Sequence, residues 1–284
     1  MINICIVTAN RAEYGILAPL IKKIQDDKMI KSDLIVTGSH LDKKFGYTIN
    51  EIIKDKIIIK KRINIYPKND KVANILNSIS NSLKSFSNFL LKNKYDYLLV
   101  LGDRHELIAP CLSSFFNKIK IIHINGGDIT LGSLDNEIRN FITSLSTLHF
   151  VTNNESKKRV IEIIGRKKNV YNVGSLSIER IKKINKISKK NLEDRFKINF
   201  KKNNILVTFH PITNKINITK KNLKEILKAL KDLENIMIFF TYPNNDEGSQ
   251  EIINMIKKFV KKHKNSFLVK SLGFENYISF VSYV

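Results

Sequence analysis

The chain has 284 residues, of which 43% are hydrophobic, as is typical of a soluble globular protein with one or two domains. No segment approaches the roughly 18 uncharged apolar residues that a membrane-spanning helix needs. The first residues lack the basic region of a signal peptide, and Cys5 and Cys111 are too few for a disulfide framework. These observations argue against a membrane protein and a disulfide-rich secreted protein, and they predict a cytoplasmic location.

The chain is strongly basic, with 49 Lys and Arg against 26 Asp and Glu and a formal net charge of +23. Such a charge suits nucleic-acid binding. The lysines, however, occupy the solvent positions of predicted helices and lack interleaved exposed aromatic residues, so we do not expect nucleic acid as the main partner. A positive field raises the local concentration of an anionic or phosphorylated small substrate, which is the partner that we expect.

Residues 1–180 alternate short apolar runs with longer helical patterns, which predicts a parallel α/β sheet. The predicted strands are Ile2–Thr8, Asp33–Thr37, Ile57–Ile63, Tyr97–Leu101, Ile119–Ile124, Leu148–Thr152 and Asn169–Val173. The clearest helices between them are Tyr14–Asp26, Val72–Lys92, Glu106–Phe116, Asp135–Leu145 and Glu155–Ile164.

A second set of elements follows a basic segment, residues 181–202, that is rich in lysine and is predicted to separate two domains. The alternation restarts with strand Ile205–Phe209, helix Lys221–Leu233, strand Ile236–Thr241, helix Gly248–His263 and strand Ser266–Lys270. We therefore predict two Rossmann-like domains, residues 1–180 and 203–284, with a ligand cleft between them.

The first candidate site residue is Arg11, which follows the first predicted strand at the start of a helix. A helix N-terminus with free backbone N–H groups favours an anion, and an arginine adds a fork of donors to a phosphate or carboxylate. The alternative is an arginine that only caps the sheet edge. The loop is not the Gly-x-Gly-x-x-Gly pattern of dinucleotide sites, which argues against NAD.

Three aspartates follow the ends of neighbouring predicted strands: Asp103, Asp128 and Asp135, the last sharing a helix face with Arg139. Each alone is explained as a helix cap. Together they predict a carboxylate cluster for acid–base chemistry on a sugar, in which crowding of like charges raises one pKa. The Gly126–Gly127 pair is expected to let a ligand approach the backbone.

Short motifs in one chain order carry a family resemblance. They are Arg11-Ala12-Glu13-Tyr14-Gly15, Val36-Thr37-Gly38-Ser39-His40-Leu41, Phe45-Gly46-Tyr47-Thr48, Leu101-Gly102-Asp103-Arg104, His123-Ile124-Asn125-Gly126-Gly127-Asp128, Asn172-Val173-Gly174-Ser175-Leu176, Thr208-Phe209-His210-Pro211 and Tyr242-Pro243-Asn244-Asn245-Asp246. Together these motifs resemble the bacterial hydrolysing UDP-N-acetylglucosamine 2-epimerases. The resemblance implies a GT-B-like pair of domains, with UDP held mainly by the second domain and the sugar chemistry in the cleft.

The resemblance also implies a reaction and a set of site residues. UDP leaves C1 of UDP-N-acetylglucosamine, a 2-acetamidoglycal forms, and water adds to give N-acetylmannosamine, a precursor of sialic-type sugars, without a metal, NAD or flavin. The implied catalytic residues are Asp103, Asp128, Asp135 and His210, and the implied substrate-binding residues are Arg11, Arg139, Asn244 and Asp246. For the full-length protein we expect a homo-oligomer.

The chain departs from the family pattern in three places. Ile212 stands where the resembling enzymes usually have Glu, and Asp128 stands where they more often have Glu. A Gly-Asn-Ser-Ser-Ser-Gly loop that cradles the nucleotide phosphates in those enzymes is absent from this sequence. We therefore expect an incomplete second domain that binds UDP weakly, with Ile278, Val281 and Tyr283 exposed on its last helix.

Other functions remain open at the level of sequence. One is the same reaction on UDP-N,N′-diacetylbacillosamine. Another is a GT-B glycosyltransferase, which shares the fold but does not need three carboxylates around one sugar. A third is an inactive nucleotide-sugar-binding or nucleic-acid-binding remnant.

Overall fold

The computed structural model describes residues 1–65, 67, 71–131, 133–212, 216–243 and 248–284. They fall into two compact units, Met1–Arg180 and Ile181–Val284. Asn244 and Asp246, which the sequence predicts to bind substrate, lie outside the described residues.

The first unit is built on a parallel sheet. In its described part, seven strands lie in the order β3-β2-β1-β4-β5-β6-β7. Their bounds are β1 Ile2–Thr8, β2 Ile30–Thr37, β3 Ile59–Ile63, β4 Tyr97–Leu101, β5 Lys120–Ile124, β6 Leu148–Val151 and β7 Val170–Asn172. The strand order reverses between β1 and β4, and ligands of such sheets bind outside the carboxyl ends at this switch point.

Helices cover both faces of this sheet. They are α1 Arg11–Asp26, α2 Ile49–Lys54, α3 Val72–Lys92, α4 Ile108–Phe116, α5 Leu134–Leu145, α6 Asn154–Ile164 and α7 Leu176–Lys182, which crosses into the second unit. Alternate residues of β1 belong to different cores: Ile4 and Ile6 pack with α1, whereas Cys5 and Val7 pack with α3 and α4. This double burial explains why β1 is an unbroken apolar run.

The second unit holds a smaller parallel sheet with the order β10-β9-β8 in the described residues. Its elements are α8 Lys189–Phe196, β8 Asn203–Thr208, α9 Ile216–Lys231, β9 Ile236–Thr241, α10 Ser249–Lys262, β10 Ser266–Val269 and α11 Phe274–Val281. Together with the first unit, this arrangement confirms the predicted α/β fold class.

The basic segment 181–202 differs from the predicted linker because it packs into the second unit. It contains α8, and Leu192 and Phe200 are buried in one core with Phe239 and Phe280. The apolar side chains of this segment face the sheet while its lysines remain solvent-exposed. Because lysine is so frequent, the sequence did not show that the segment is amphipathic.

The last helix is less exposed than the sequence suggested. Val281 is exposed, but Ile278 is only partly accessible. Tyr283 packs 5.8 Å from the ring of Phe200 and donates a 3.0 Å hydrogen bond to the Ile187 carbonyl. Tyr283 is therefore only partly accessible, and of the three residues expected to be exposed, Val281 is the one that is.

None of the helices in the described part of the chain has the length and apolar character required to span a membrane. Across the same residues, no group of three or more His, Cys, Asp and Glu side chains is arranged to hold a metal ion.

Candidate functional site

Arg139 connects the turns that follow β4 and β5. It is 6% exposed on α5, and its Nη2 forms an ion pair with Asp103 Oδ2 and donates to Thr130 Oγ1 at 3.1 Å. Its Nη1 donates to the Asp128 carbonyl at 2.6 Å. The fork of the guanidinium thus reaches a carboxylate, a hydroxyl and a backbone oxygen at once. The sequence placed Arg139 near Asp135, and the structure adds Asp103 as its ion-pair partner.

A second link joins the same elements behind this ion pair. The fully buried His123 of β5 donates from Nε2 to the Gly102 carbonyl at 2.8 Å, and its Nδ1 accepts from Thr143 Oγ1 at 3.1 Å. Burial lowers the pKa of His123 to about 3, so its ring is neutral and one nitrogen is free to accept. Thr143 lies one turn after Arg139 on α5. The turn that carries Asp103 is therefore linked to α5 in two ways, directly by the Asp103–Arg139 ion pair and through His123 to Thr143.

Asp128 directs its carboxylate to the start of α6. Its Oδ1 accepts from Ser156 Oγ at 2.5 Å and from Thr152 Oγ1 at 3.4 Å. A carboxylate is favoured at a helix N-terminus by the positive end of the dipole. Asp103 and Asp128 are thus each held by separate partners, Arg139 and Ser156.

The Gly126–Gly127 pair lets neighbouring protein elements approach the turn after β5 closely. A Cβ on Gly126 would lie 3.0 Å from both His123 Nδ1 and Thr143 Oγ1. Gly127 has φ +81°, and a Cβ there would lie 2.3 Å from the Ser156 carbonyl oxygen. These close approaches come from β5, α5 and α6, and the expectation that a ligand approaches the same backbone stays a prediction.

The turn between β1 and α1 is closed by side chains. Asn10 Oδ1 accepts from the N–H groups of Ala12 and Glu13 at 2.9 and 3.0 Å. The helix start is therefore capped by its own asparagine, and these N–H groups are not free for an anion as the sequence suggested. The prediction that an anion binds at this turn therefore rests on the guanidinium of Arg11, the first residue of α1.

Glu13 is a buried acid that the sequence prediction did not single out as a site residue, although it lies in the first motif. Its side chain is held by the Ala9 N–H and by Asn10 Nδ2, each at 2.8 Å. Burial raises the pKa of Glu13 to about 8. The Ala9 hydrogen bond and Arg104 lower it, and the negative charges of Glu106 and Asp103 add to the rise. The pattern Asn-x-x-Glu at a helix start was the signal that could have revealed it.

Arg104 and Glu106 form a buried pair beside Asp103, with Arg104 Nε 3.4 Å from Glu106 Oε2. Burial alone raises the pKa of Glu106, but the positive charges of His105 and Arg104 outweigh it and the pKa is lowered. The crowding of charge predicted for the aspartates thus falls on Glu13, Glu106 and Asp103 at the β1–β4 switch point.

The remaining predicted residues are placed as follows. Asp135 lies in the first turn of α5, where its N–H donates to Ser133 Oγ at 3.2 Å. His210 lies exposed just after β8 in the second unit. Their roles stay predictions.

Comparison with known proteins identifies the family. Residues 22–284 match the family described as UDP-N-acetylglucosamine 2-epimerase. The chain belongs to this family. It is 36% identical to the GDP/UDP-N,N′-diacetylbacillosamine 2-epimerase (hydrolyzing) of Campylobacter jejuni, over 98% of this chain and 72% of that protein. It is also 36% identical to the polysialic acid biosynthesis protein P7 of Escherichia coli, over 100% of this chain and 72% of that protein.

Solved structures of family members share the fold. The UDP-GlcNAc 2-epimerase of Neisseria meningitidis bound to UDP-GlcNAc aligns with a TM-score of 0.79 at 22% identity, over 99% of this chain and 76% of that one. The Methanocaldococcus jannaschii enzyme in complex with UDP-GlcNAc and UDP aligns with a TM-score of 0.76 at 18% identity, over the same shares. These likenesses confirm the GT-B-like α/β architecture.

Proposed function

We propose that this chain is a hydrolysing 2-epimerase that converts UDP-N-acetylglucosamine and water to N-acetylmannosamine and UDP. The observation that supports it most is the Asp103–Arg139 ion pair at the switch point of the first sheet. The Asp103 side chain keeps 22% of its surface accessible, whereas that of Arg139 keeps 7%. A carboxylate that is oriented by a buried arginine and remains partly accessible to solvent suits proton transfer to a bound sugar.

The reaction proceeds by elimination and then addition. The C1–O bond breaks and its electron pair leaves with UDP, while a carboxylate takes the proton from C2 and a 2-acetamidoglycal results. Water then adds its hydroxyl group to C1 and gives its remaining proton to a carboxylate, while a carboxylic acid returns a proton to the opposite face of C2. Negative charge near C1 stabilises the oxocarbenium-like centre that forms as UDP departs.

The aspartates of the first unit are arranged for such transfers. The contacts of Asp103 described above are made to Oδ2 and those of Asp128 to Oδ1. Each group is therefore oriented through one oxygen, and the other oxygen is the one that we assign to proton transfer. Asp135 completes the set, and Arg11 neutralises the diphosphate as it leaves. Individual proton transfers belong to the coupled set and not to one residue.

UDP-N,N′-diacetylbacillosamine is the second candidate substrate, and the loop after Asp128 favours it. Ile129, Leu131 and Leu134 are 56%, 91% and 52% exposed, and Thr130 between them bonds to Arg139. This sugar carries a second acetamido group and a methyl group at C6, which offer more apolar surface to such a loop than N-acetylglucosamine does. A relative in Campylobacter jejuni is named for this substrate.

Incubation with each UDP-sugar in the absence of an acceptor tests the proposal. We expect release of UDP together with a 2-epimerised free sugar from at least one of them. Asp103→Asn should lower the rate about 100-fold or more, whereas Asp26→Asn, an exposed aspartate at the end of α1, should keep the wild-type rate. UDP release that requires an acceptor would indicate a glycosyltransferase, and UDP binding without turnover would indicate a binding protein.

A further inference from the structure

The side chain of Glu13 holds the turn between β1 and α1 from inside the protein. One oxygen accepts the Ala9 N–H and the other accepts the amide of Asn10, each at 2.8 Å. Asn10 in turn accepts the N–H groups of Ala12 and Glu13. These bonds form a closed ring in which the position of Asn10 depends on Glu13.

The ring is not needed to cap the helix. Asn10 alone satisfies two N–H groups of the first turn of α1. Glu13 is only 5% exposed, and its carboxyl group interacts electrostatically with Glu106, Arg104 and Asp103 in the turn after β4. Burying a carboxyl group among other charges costs stability, so its presence at this position calls for a reason other than folding.

Residues that follow β2 also form hydrogen bonds with the turn between β1 and α1. The Ala9 carbonyl accepts from Ser39 Oγ at 3.3 Å and from the His40 N–H at 3.4 Å. With Glu13 on the Ala9 N–H, both polar groups of the Ala9 backbone are fixed. Arg11 is the first residue of α1 and follows this turn directly. The hydrogen bonds to the Ala9 backbone therefore fix the backbone position from which the Arg11 side chain extends.

We propose that Glu13 is a positioning residue for the 2-epimerase reaction, which fixes the turn that presents Arg11 to the diphosphate of the UDP-sugar. The inference rests on the proposed function. Small displacements of a positioned group cause large losses in binding and catalysis. Because we assign Arg11 to the nucleotide part and not to the reacting carbons, loosening this turn should weaken binding of UDP and of the UDP-sugar more than it slows the chemical step.

The test compares two glutamates in matched settings. Glu13→Gln keeps the length of the side chain but turns one acceptor oxygen into an NH₂ group that faces another donor. Glu155→Gln is the control, because Glu155 lies in the first turn of α6 behind an asparagine cap, Asn153, but is exposed. Asn10→Ser is a second variant that keeps a hydroxyl cap and removes only the amide donor to Glu13.

We expect Glu13→Gln to raise the KM for the UDP-sugar and the Kd for UDP at least ten-fold, with kcat within three-fold of wild type. Asn10→Ser should raise both constants by a smaller factor, and Glu155→Gln should change neither. Unchanged KM and Kd in Glu13→Gln, or a lower kcat at unchanged KM, would overturn the proposal. If Glu13→Gln does not fold, Asn10→Ser decides, and wild-type constants in that variant would overturn it.

The two proposals fail in different ways. A wild-type protein that binds UDP but turns over neither sugar contradicts the epimerase function, while the comparison of UDP affinities still decides the role of Glu13. A wild-type protein that turns over a sugar and is indifferent to both substitutions contradicts only the inference.

Discussion

Arg139 on α5 forms an ion pair with Asp103 in the turn after β4. The same guanidinium bonds the backbone of Asp128 and the hydroxyl of Thr130 in the loop after β5. One buried cation therefore fixes the relative position of two loops that carry predicted catalytic aspartates. Thr143, one turn further along α5, reinforces the arrangement through His123.

We expect Arg139→Lys to lower turnover about 100-fold, although it keeps the charge, because lysine lacks the planar fork that reaches three acceptors. Arg139→Met should lower turnover further and reduce the free energy of unfolding by about 1–3 kcal/mol, since it leaves polar groups unpaired. Steady-state UDP release and urea unfolding measure the two effects.

Arg166→Lys, at an exposed arginine, is the matched control and should behave as wild type. A double-mutant cycle of Arg139→Met with Asp103→Asn should give a coupling of about 0.5–3 kcal/mol. Additive effects would show that the ion pair does not link the two residues.

Asp128→Asn should lower kcat about 100-fold or more while leaving the unfolding transition close to that of wild type. The reason is that an amide oxygen still accepts from Ser156, whereas an amide cannot take up a proton as a base or release one as an acid in the reaction. Ser156→Ala should lower kcat less, because it only releases the carboxylate. Ser144→Ala, on the exposed face of α5, is the control. Lost stability with normal turnover per folded molecule would make Asp128 a cap and not a catalytic group.

The strands that are buried on both faces were predictable because their apolar runs are unambiguous. β1 and β4 match their predicted bounds, Ile2–Thr8 and Tyr97–Leu101. α8 was missed because Leu192 and Phe196, which anchor it, stand among six polar or charged residues in its eight positions. The sequence of a short helix rich in charged residues is similar to that of a solvent-exposed linker.

The site was predictable only in part. The predicted roles of Asp103 and Asp128 rest on the rule that ligands bind at carboxyl strand ends, and that of Arg139 rests on its sharing a helix face with Asp135. The His123–Thr143 bond and the roles of the glycines depend on side chains that meet across elements, and spacing along the chain does not reveal such pairs. Glu13 was overlooked because a glutamate in the first turn of a helix is usually an exposed dipole partner.

The stability of the protein should depend on pH through Glu13. Its folded-state pKa of about 8 lies above the ordinary value of 4.5, so the folded state binds this proton more tightly than the unfolded chain does. With respect to this group the protein is most stable below pH 4.5, and its free energy of unfolding falls as the pH rises toward 8, by up to about 1.4 kcal/mol for each pH unit. Urea unfolding across this window should show a flatter dependence in Glu13→Gln, and the wild-type dependence in Glu155→Gln. Equal slopes in wild type and Glu13→Gln would mean that Glu13 is ionised in the folded protein.

Leu192→Ala should destabilise the second unit by about 2–5 kcal/mol, because Leu192 is fully buried with Phe239 and Phe280. Lys190→Ala, at an exposed position of the same helix, should change stability by less than about 0.5 kcal/mol. Denaturant unfolding of the two variants distinguishes a core helix from a linker. A neutral Leu192→Ala would restore the linker interpretation of residues 181–202.

The most direct test of the epimerase function is to run the reaction in D₂O with a UDP-sugar and no acceptor, and to read the free sugar by NMR and mass spectrometry. The proposed route removes the C2 proton and replaces it from solvent on the opposite face. It therefore predicts stoichiometric UDP and a 2-epimer that carries one deuterium at C2. A free sugar that keeps its original C2 proton, or no UDP release from either candidate substrate, would contradict the account.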